Sequence, residues 1–235
     1  MSATVFETIR VREGWAPLLS RHAARLDGAC RTLGLPGLDR PLDQVVSPWL
    51  GDVDQVVRVQ VGPGGASVHP REVPLAGPID VVVTDVTHTS YPFKVMARGR
   101  FDAALAAATA RGADDALLIT ADGLVAEGTR WSIFWWETDR LATPSLRLGI
   151  LPGIARARVM DLVATVEREC RPEDLMGAGV FATNAVRGVM PIRSLNGVTL
   201  PLDPRTDRLM TRFWPDGSRF GGAYEMDTGR SQPER

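Results

Sequence analysis

The chain has 235 residues, 44% of them hydrophobic and 23% charged, with a formal net charge of −1, a composition that suits a globular protein with a sizeable core. That balance argues against a nucleic-acid or anionic-membrane partner, and no apolar run approaches the roughly 20 residues of a bilayer span. The N-terminus lacks the basic start and apolar run of a secretory signal, the two cysteines Cys30 and Cys170 have no paired spacing, and His22, His69 and His88 are scattered, so a cytoplasmic protein with reduced thiols and no metal site is expected.

Val5 to Val11 (VFETIRV) alternates as a strand and ends at the turn Glu13-Gly14. Leu18 to Leu33 follows as an amphipathic helix with Leu19, Ala23, Leu26, Cys30 and Leu33 on its buried stripe. His22, Arg25 and Ala29 lie along the margin of that stripe, where an arginine either reaches out to water or finds a partner. Gly34-Leu35-Pro36-Gly37 stops the helix, a short helix is expected from Leu42 to Leu50, and Gln55 to Val61 alternates as a strand. The cluster Gly62-Pro63-Gly64-Gly65 opens no helix and lacks dinucleotide-binding spacing, so it reads as a hairpin turn rather than a phosphate cradle. Ile79 to Val83 is another strand. Residues 1–88 are thus expected to form a small α/β lobe, joined through Thr87 to Pro92 to a larger lobe over 89–235.

In the second lobe, Phe101 to Arg111 reads as an alanine-rich helix ended by Gly112, and Asp115 to Thr120 as a strand. Asp122-Gly123 turns it into Leu124 to Glu127. Trp131 to Trp136 (WSIFWW) is apolar on both faces apart from Ser132, which suits a sheet covered on both sides. Leu151-Pro152-Gly153-Ile154 leads into a helix through Val163. Two strands, Gly179 to Thr183 and Val186 to Ile192, precede a turn at Asn196-Gly197, a final helix runs from Arg205 to Phe213, and the residues after Trp214 read as a loose tail.

Lys94 is the only lysine: of 27 basic residues, 26 are arginine. A desolvated amine can lose its proton near neutral pH and attack a carbonyl, which a guanidinium cannot; scarcity alone fits compositional drift equally well. The helix start at Gly153, Ile154 and Ala155 presents free N–H groups suited to a phosphate, and Gly153 lets it approach closely. Taken singly, Gly153 is also an ordinary turn residue, Glu127 a solvated strand end and Arg25 a surface charge.

Their order along the chain is more specific. The stretches VFETIRVREGWAPLLSRHAARLDGACRTLGL, FK with its following helix, DDALLITADGLVAEGTRWSIFWW, LATPSL, GILPGIARARVMDL and VFATNAVRGVMPI resemble the fold-type-IV pyridoxal-phosphate enzymes. This is the class-IV aminotransferase family, which contains branched-chain and D-amino-acid aminotransferases and aminodeoxychorismate lyase. The resemblance implies an α/β fold (α+β) of two lobes, the larger with a mixed sheet or pseudo-barrel, a homodimer, and a small-molecule amine substrate. It implies that Lys94 carries pyridoxal 5'-phosphate as a Schiff base, that Glu127 pairs with the pyridine nitrogen, and that Arg25 binds the phosphate with the Ile154 and Ala155 amides beside Gly153. Ser132, Ala155 and Gly99 depart from the Asn, Thr and Tyr common in aminotransferases. Asn184-Ala185 stands where those enzymes carry Gly-Thr and looks like the lyase subgroup, which implies release of pyruvate and 4-aminobenzoate from 4-amino-4-deoxychorismate. An amino-acid aminotransferase and a non-catalytic binding protein are the alternatives.

Overall fold

In β1 (Val5–Val11) the odd-numbered side chains Val5, Glu7, Ile9 and Val11 turn to one face of the strand, and Phe6 and Thr8 to the other. In the computed structural model, which describes residues 3–215, the first face is packed by a helix and the second lines a cavity. On the first face α1 (Leu19–Leu33) packs Leu19, Leu26, Ala29 and Cys30 against Val5, Ile9 and Val11 and against Val57, Val59 and Val61 of β2 (Gln55–Gly62). Helix α1 ends at Gly34, whose φ of 66° is a left-handed conformation that favours glycine, and the Gly34 amide bonds back to Cys30 O. The second helix, α2 (Leu42–Val46), passes into a single 3₁₀ turn over Ser47–Trp49, because Pro48 supplies no amide to continue an α-helical ladder.

Strands β1, β2 and β3 (Gly65–Arg71) form a three-stranded antiparallel sheet, with Gly62 opposite Gly65 across the hairpin. The glycine cluster is therefore a turn, as its spacing suggested. Strand β3 is legible only in the structure: its GASVHPR sequence is largely exposed and carries little apolar alternation.

The second sheet has nine strands in the order β6-β5-β4-β11-β10-β7-β8-β9, with β12 paired to β11. These are β4 (Ile79–Val83), β5 (Asp115–Ile119), β6 (Val125–Gly128), β7 (Ser132–Trp136), β8 (Leu141–Thr143), β9 (Thr165–Glu167), β10 (Val180–Asn184), β11 (Gly188–Leu195) and β12 (Val198–Thr199). The sheet is mixed: β4 runs parallel to β11 and β5, β8 parallel to β9, and the remaining pairs are antiparallel. The division at residue 88 needs correcting, since Ile79–Val83 hydrogen-bonds into this larger sheet. The chain crosses between the sheets over residues 72–78, after which β4 pairs between β11 and β5.

One side of the large sheet closes on its own side chains, among them Val81, Leu117, Ile133, Trp135, Ala182 and Met190. The other side is covered by helices. In α3 (Gly99–Ala110), Phe101, Ala104 and Ala108 meet Val82, Ala116 and Leu118. In α4 (Ile154–Leu162) and α5 (Pro204–Phe213), Ala155, Val159, Leu209 and Phe213 meet Phe134, Phe181 and Val189. Every residue of β7 is buried, as its two-sided apolar pattern required. Helix α4 is shorter than its sequence suggested: Val163 is already extended, and Thr165–Glu167 pairs with β8. The tail read as loose falls almost entirely on residues 216–235, outside the described residues.

Candidate active site

Lys94 is placed by its backbone. Its carbonyl accepts from Phe6 N (2.9 Å), Met96 N donates to Thr4 O (2.8 Å), and Val5 bridges Val95, so the lysine segment lies along the free edge of β1. On the approach, Tyr91 N donates to Gly149 O (2.7 Å), its hydroxyl donates to Val95 O (2.8 Å), and its ring meets Phe101 edge-on. Arg100 holds Thr89 from α3. The loop between the sheets is thereby tied to both, and Lys94 is half-buried in the wall of a cavity between them. Its Nζ is 4.7 Å from the Phe6 ring centroid. Burial, then the Arg25 charge, lowers the amine from 10.5 to about 7 against the opposing pull of Glu7, with Arg98 and Arg58 adding to the depression.

The cavity, of about 390 Å³, is also lined by Arg25, Glu127, Gly153, Ile154, Ala155, Asn184 and Ala185, so the fold gathers every candidate site residue at one place. That volume suits a small cofactor and substrate.

Arg25 is neither snorkelling nor unpaired. Its Nε and one terminal nitrogen donate to the two oxygens of Glu7 (2.7 and 2.6 Å), and the other terminal nitrogen reaches Pro152 O (3.2 Å) just before α4. His22 Nδ1 bonds the same carboxylate at 2.8 Å. Burial alone would raise Glu7, but the Arg25 charge and the His22 and Arg25 hydrogen bonds outweigh it and hold the carboxyl at about 2. Burial pushes His22 down despite Glu7, so the neutral ring donates Nδ1–H and leaves Nε2 a buried acceptor with no partner among the described residues. Glu7 and His22 were not singled out in the sequence. A carboxylate on the core-facing side of an otherwise apolar alternation was the available signal.

A lowered carboxyl pKa stabilises the fold above its unfolded value and loses that contribution as pH falls. Glu7→Gln is expected to cost about 2–3 kcal/mol at pH 7, measured by urea unfolding. The difference from the parent should shrink as pH drops from 4.5 toward 2.

Glu127, at the end of β6, is fixed by His88 Nε2 (2.9 Å) and the Leu151 amide (3.3 Å to each oxygen). His88 is anchored through its own amide to Ile119 O (2.7 Å). The next residue must be small, because a Cβ on Gly128 would lie 2.0 Å from the Trp131 indole. Helix α4 begins at Gly153 with no side-chain cap, so the Ile154 and Ala155 amides have no intrahelical acceptor. Asn184 Oδ1 accepts from Val186 N (3.0 Å) and Arg187 N (2.8 Å), shaping the β10–β11 turn whose residues reach the cavity.

Among the described residues no cluster could hold a metal ion and no helix is long and apolar enough to cross a membrane. The donors present fit a phosphorylated carbonyl compound. An uncapped helix start and a guanidinium suit the phosphate, an amine that is half neutral near pH 7 suits the carbonyl, and a buried carboxylate suits a basic nitrogen. Two sheets joined at a lysine over such a cavity define an enzyme built on amine chemistry.

The chain belongs to the amino-transferase class IV family, whose model matches residues 4–195. It is 28% identical over 237 residues, covering 92% of this chain and 86% of the relative, to a Thermotoga maritima protein described as a branched-chain-amino-acid aminotransferase. It is 24% identical to the aminodeoxychorismate lyase of Vibrio harveyi, over 87% of this chain and 89% of that one. A Mycobacterium tuberculosis protein described as an aminotransferase, solved in a PLP-bound form, superimposes with a TM-score of 0.80 at 22% identity, over 90% of this chain and 88% of that one. The two-lobed α/β architecture is the fold-type-IV fold.

Proposed function

We propose that the protein is a pyridoxal-phosphate-dependent lyase that converts 4-amino-4-deoxychorismate into 4-aminobenzoate and pyruvate. The cofactor is pyridoxal 5'-phosphate, which when bound supplies an electron sink for the charge left by removal of a proton beside the substrate nitrogen. Lys94 would hold the cofactor through its amine, and the depressed pKa leaves that amine, when free, able to take this proton near neutral pH. Arg25, held by the Glu7 carboxylate that His22 also bonds, and the Ile154 and Ala155 amides would hold the phosphate. Glu127, fixed by His88 and Leu151, would pair with the pyridine nitrogen. The protein acts as a homodimer in this reading, to be checked by sedimentation.

The observation that favours the lyase is the Asn184-Ala185 turn, held in the cavity wall by the Asn184 side chain. The likeness to the Thermotoga maritima protein supports amino-acid transamination as the second reading. The two separate on supplying 4-amino-4-deoxychorismate, in parallel with L- and D-amino acids plus 2-oxoglutarate or pyruvate. Equimolar pyruvate and 4-aminobenzoate are expected; keto-acid exchange without 4-aminobenzoate would overturn the lyase.

A further inference from the structure

The cavity holds more positive charge than a phosphate and an amine require. Arg130 is paired with Asp115 (3.4 Å), and Arg98 donates to Thr129 O (2.5 Å) and approaches Asp102 (4.0 Å). Arg58 has no ion-pair partner among the described residues. It stands on β2 opposite Thr8, on the cavity-facing side of the small sheet with Phe6, Thr8 and Val56. Its guanidinium lies 4.7 Å from the Phe6 ring centroid, and its Nε is buried without a hydrogen-bond partner. Burial, followed by the charges of Arg71 and Arg98, pulls it below the ordinary arginine value. Arg71 also lines the cavity, as does Glu72, which forms no ion pair with these arginines among the described residues. Three guanidiniums near one another, one with a buried unpartnered donor, are unfavourable unless an anion lies among them.

Phe6 sets the scale. Lys94 Nζ and the Arg58 guanidinium are equally far from the same ring, so they are no more than twice that distance apart. A ring-sized molecule can present an amine at Lys94 and a carboxylate to Arg58. An uncharged group set against this unpaired guanidinium would leave it desolvated without a partner, at a cost.

We propose that Arg58, supported by Arg71 and Arg98, is a subsite that grips a carboxylate of the amine substrate. The inference takes from the proposed function only the placing of the reacting amine at Lys94. A planar guanidinium can grip a carboxylate through two parallel hydrogen bonds, which gives geometric as well as charge selectivity.

The test compares two isosteric probes, 4-aminobenzoate and the uncharged 4-aminobenzamide, by calorimetry on the pyridoxal-phosphate-loaded protein. The acid should bind about tenfold more tightly or better, a difference of about 1.4 kcal/mol, and its affinity alone should fall with added salt. Arg58→Gln should abolish the preference, Arg58→Lys should keep part of it, and Arg71→Gln should weaken it. Equal affinities in the parent overturn the proposal. So does a preference that survives in an Arg58→Gln protein with the parent's visible band and circular dichroism. Because binding alone is read, the outcomes separate. A preference without pyruvate release leaves the subsite standing and removes the lyase, whereas pyruvate release without a preference does the reverse.

Discussion

Replacing Lys94 with alanine should abolish the visible absorption of the pyridoxal-phosphate-loaded protein and lower turnover by more than about a thousandfold. No other lysine in the chain can substitute for it. In the cofactor-free parent the Lys94 amine should titrate near 7 instead of 10.5 when followed by a limiting amount of an amine-acylating reagent, with the labelled residue identified by mass spectrometry. Arg25 presses that value down and Glu7 lifts it, so Arg25→Gln should raise the midpoint and Glu7→Gln lower it further. A midpoint near the ordinary lysine value would remove the reason for assigning base chemistry to Lys94. The stability linkage has a definite sign. The unfolded chain holds this proton more tightly, so from this group stability rises with pH between about 7 and 10.5. Active, uncharged Lys94 and the more stable fold therefore lie on the same side of neutrality.

Glu127→Ala is expected to separate anchoring from chemistry. Lys94 stays in place, so the visible band should persist with a shifted maximum, while turnover falls about 100- to 1,000-fold through loss of a fixed charge at the reacting ring. The substitution also leaves His88 Nε2 and the Leu151 amide without their acceptor. A Glu127→Gln variant that keeps one acceptor should fold better and still turn over slowly. Parent-like turnover in Glu127→Gln with an unchanged spectrum would show that the carboxylate serves only to hold His88 and Leu151. Read with the lysine variant, the pair assigns colour to Lys94 and rate to both residues.

Much of this molecule is legible in its sequence because local chemistry has local signatures. The alternation of Val5–Val11, the helical stripe of α1, the glycine hairpin at 62–65 and the two-sided apolar run of β7 each report a periodicity that burial imposes on one element. A single lysine among 26 arginines, and a helix opened by Gly153, are likewise visible residue by residue. The family's order of motifs along the chain added which of these belong together. What the sequence could not carry are relations between distant residues. Glu7 faces the core as a carboxylate, and only the packing of α1 on β1 brings Arg25 and His22 to it. Glu127 meets His88 across 39 positions. Strand β4 joins the larger sheet because its two partners, β5 and β11, come later in the chain. Arg58 sits in an ordinary alternating strand, and nothing local distinguishes it from an exposed arginine. The sequence by itself determined which residues can carry the chemistry, since amine, carboxylate and free amide are properties of single positions. The tertiary structure alone decided which are desolvated, which are already paired and which charge is left for a ligand, since those depend on what the fold brings within a few ångströms.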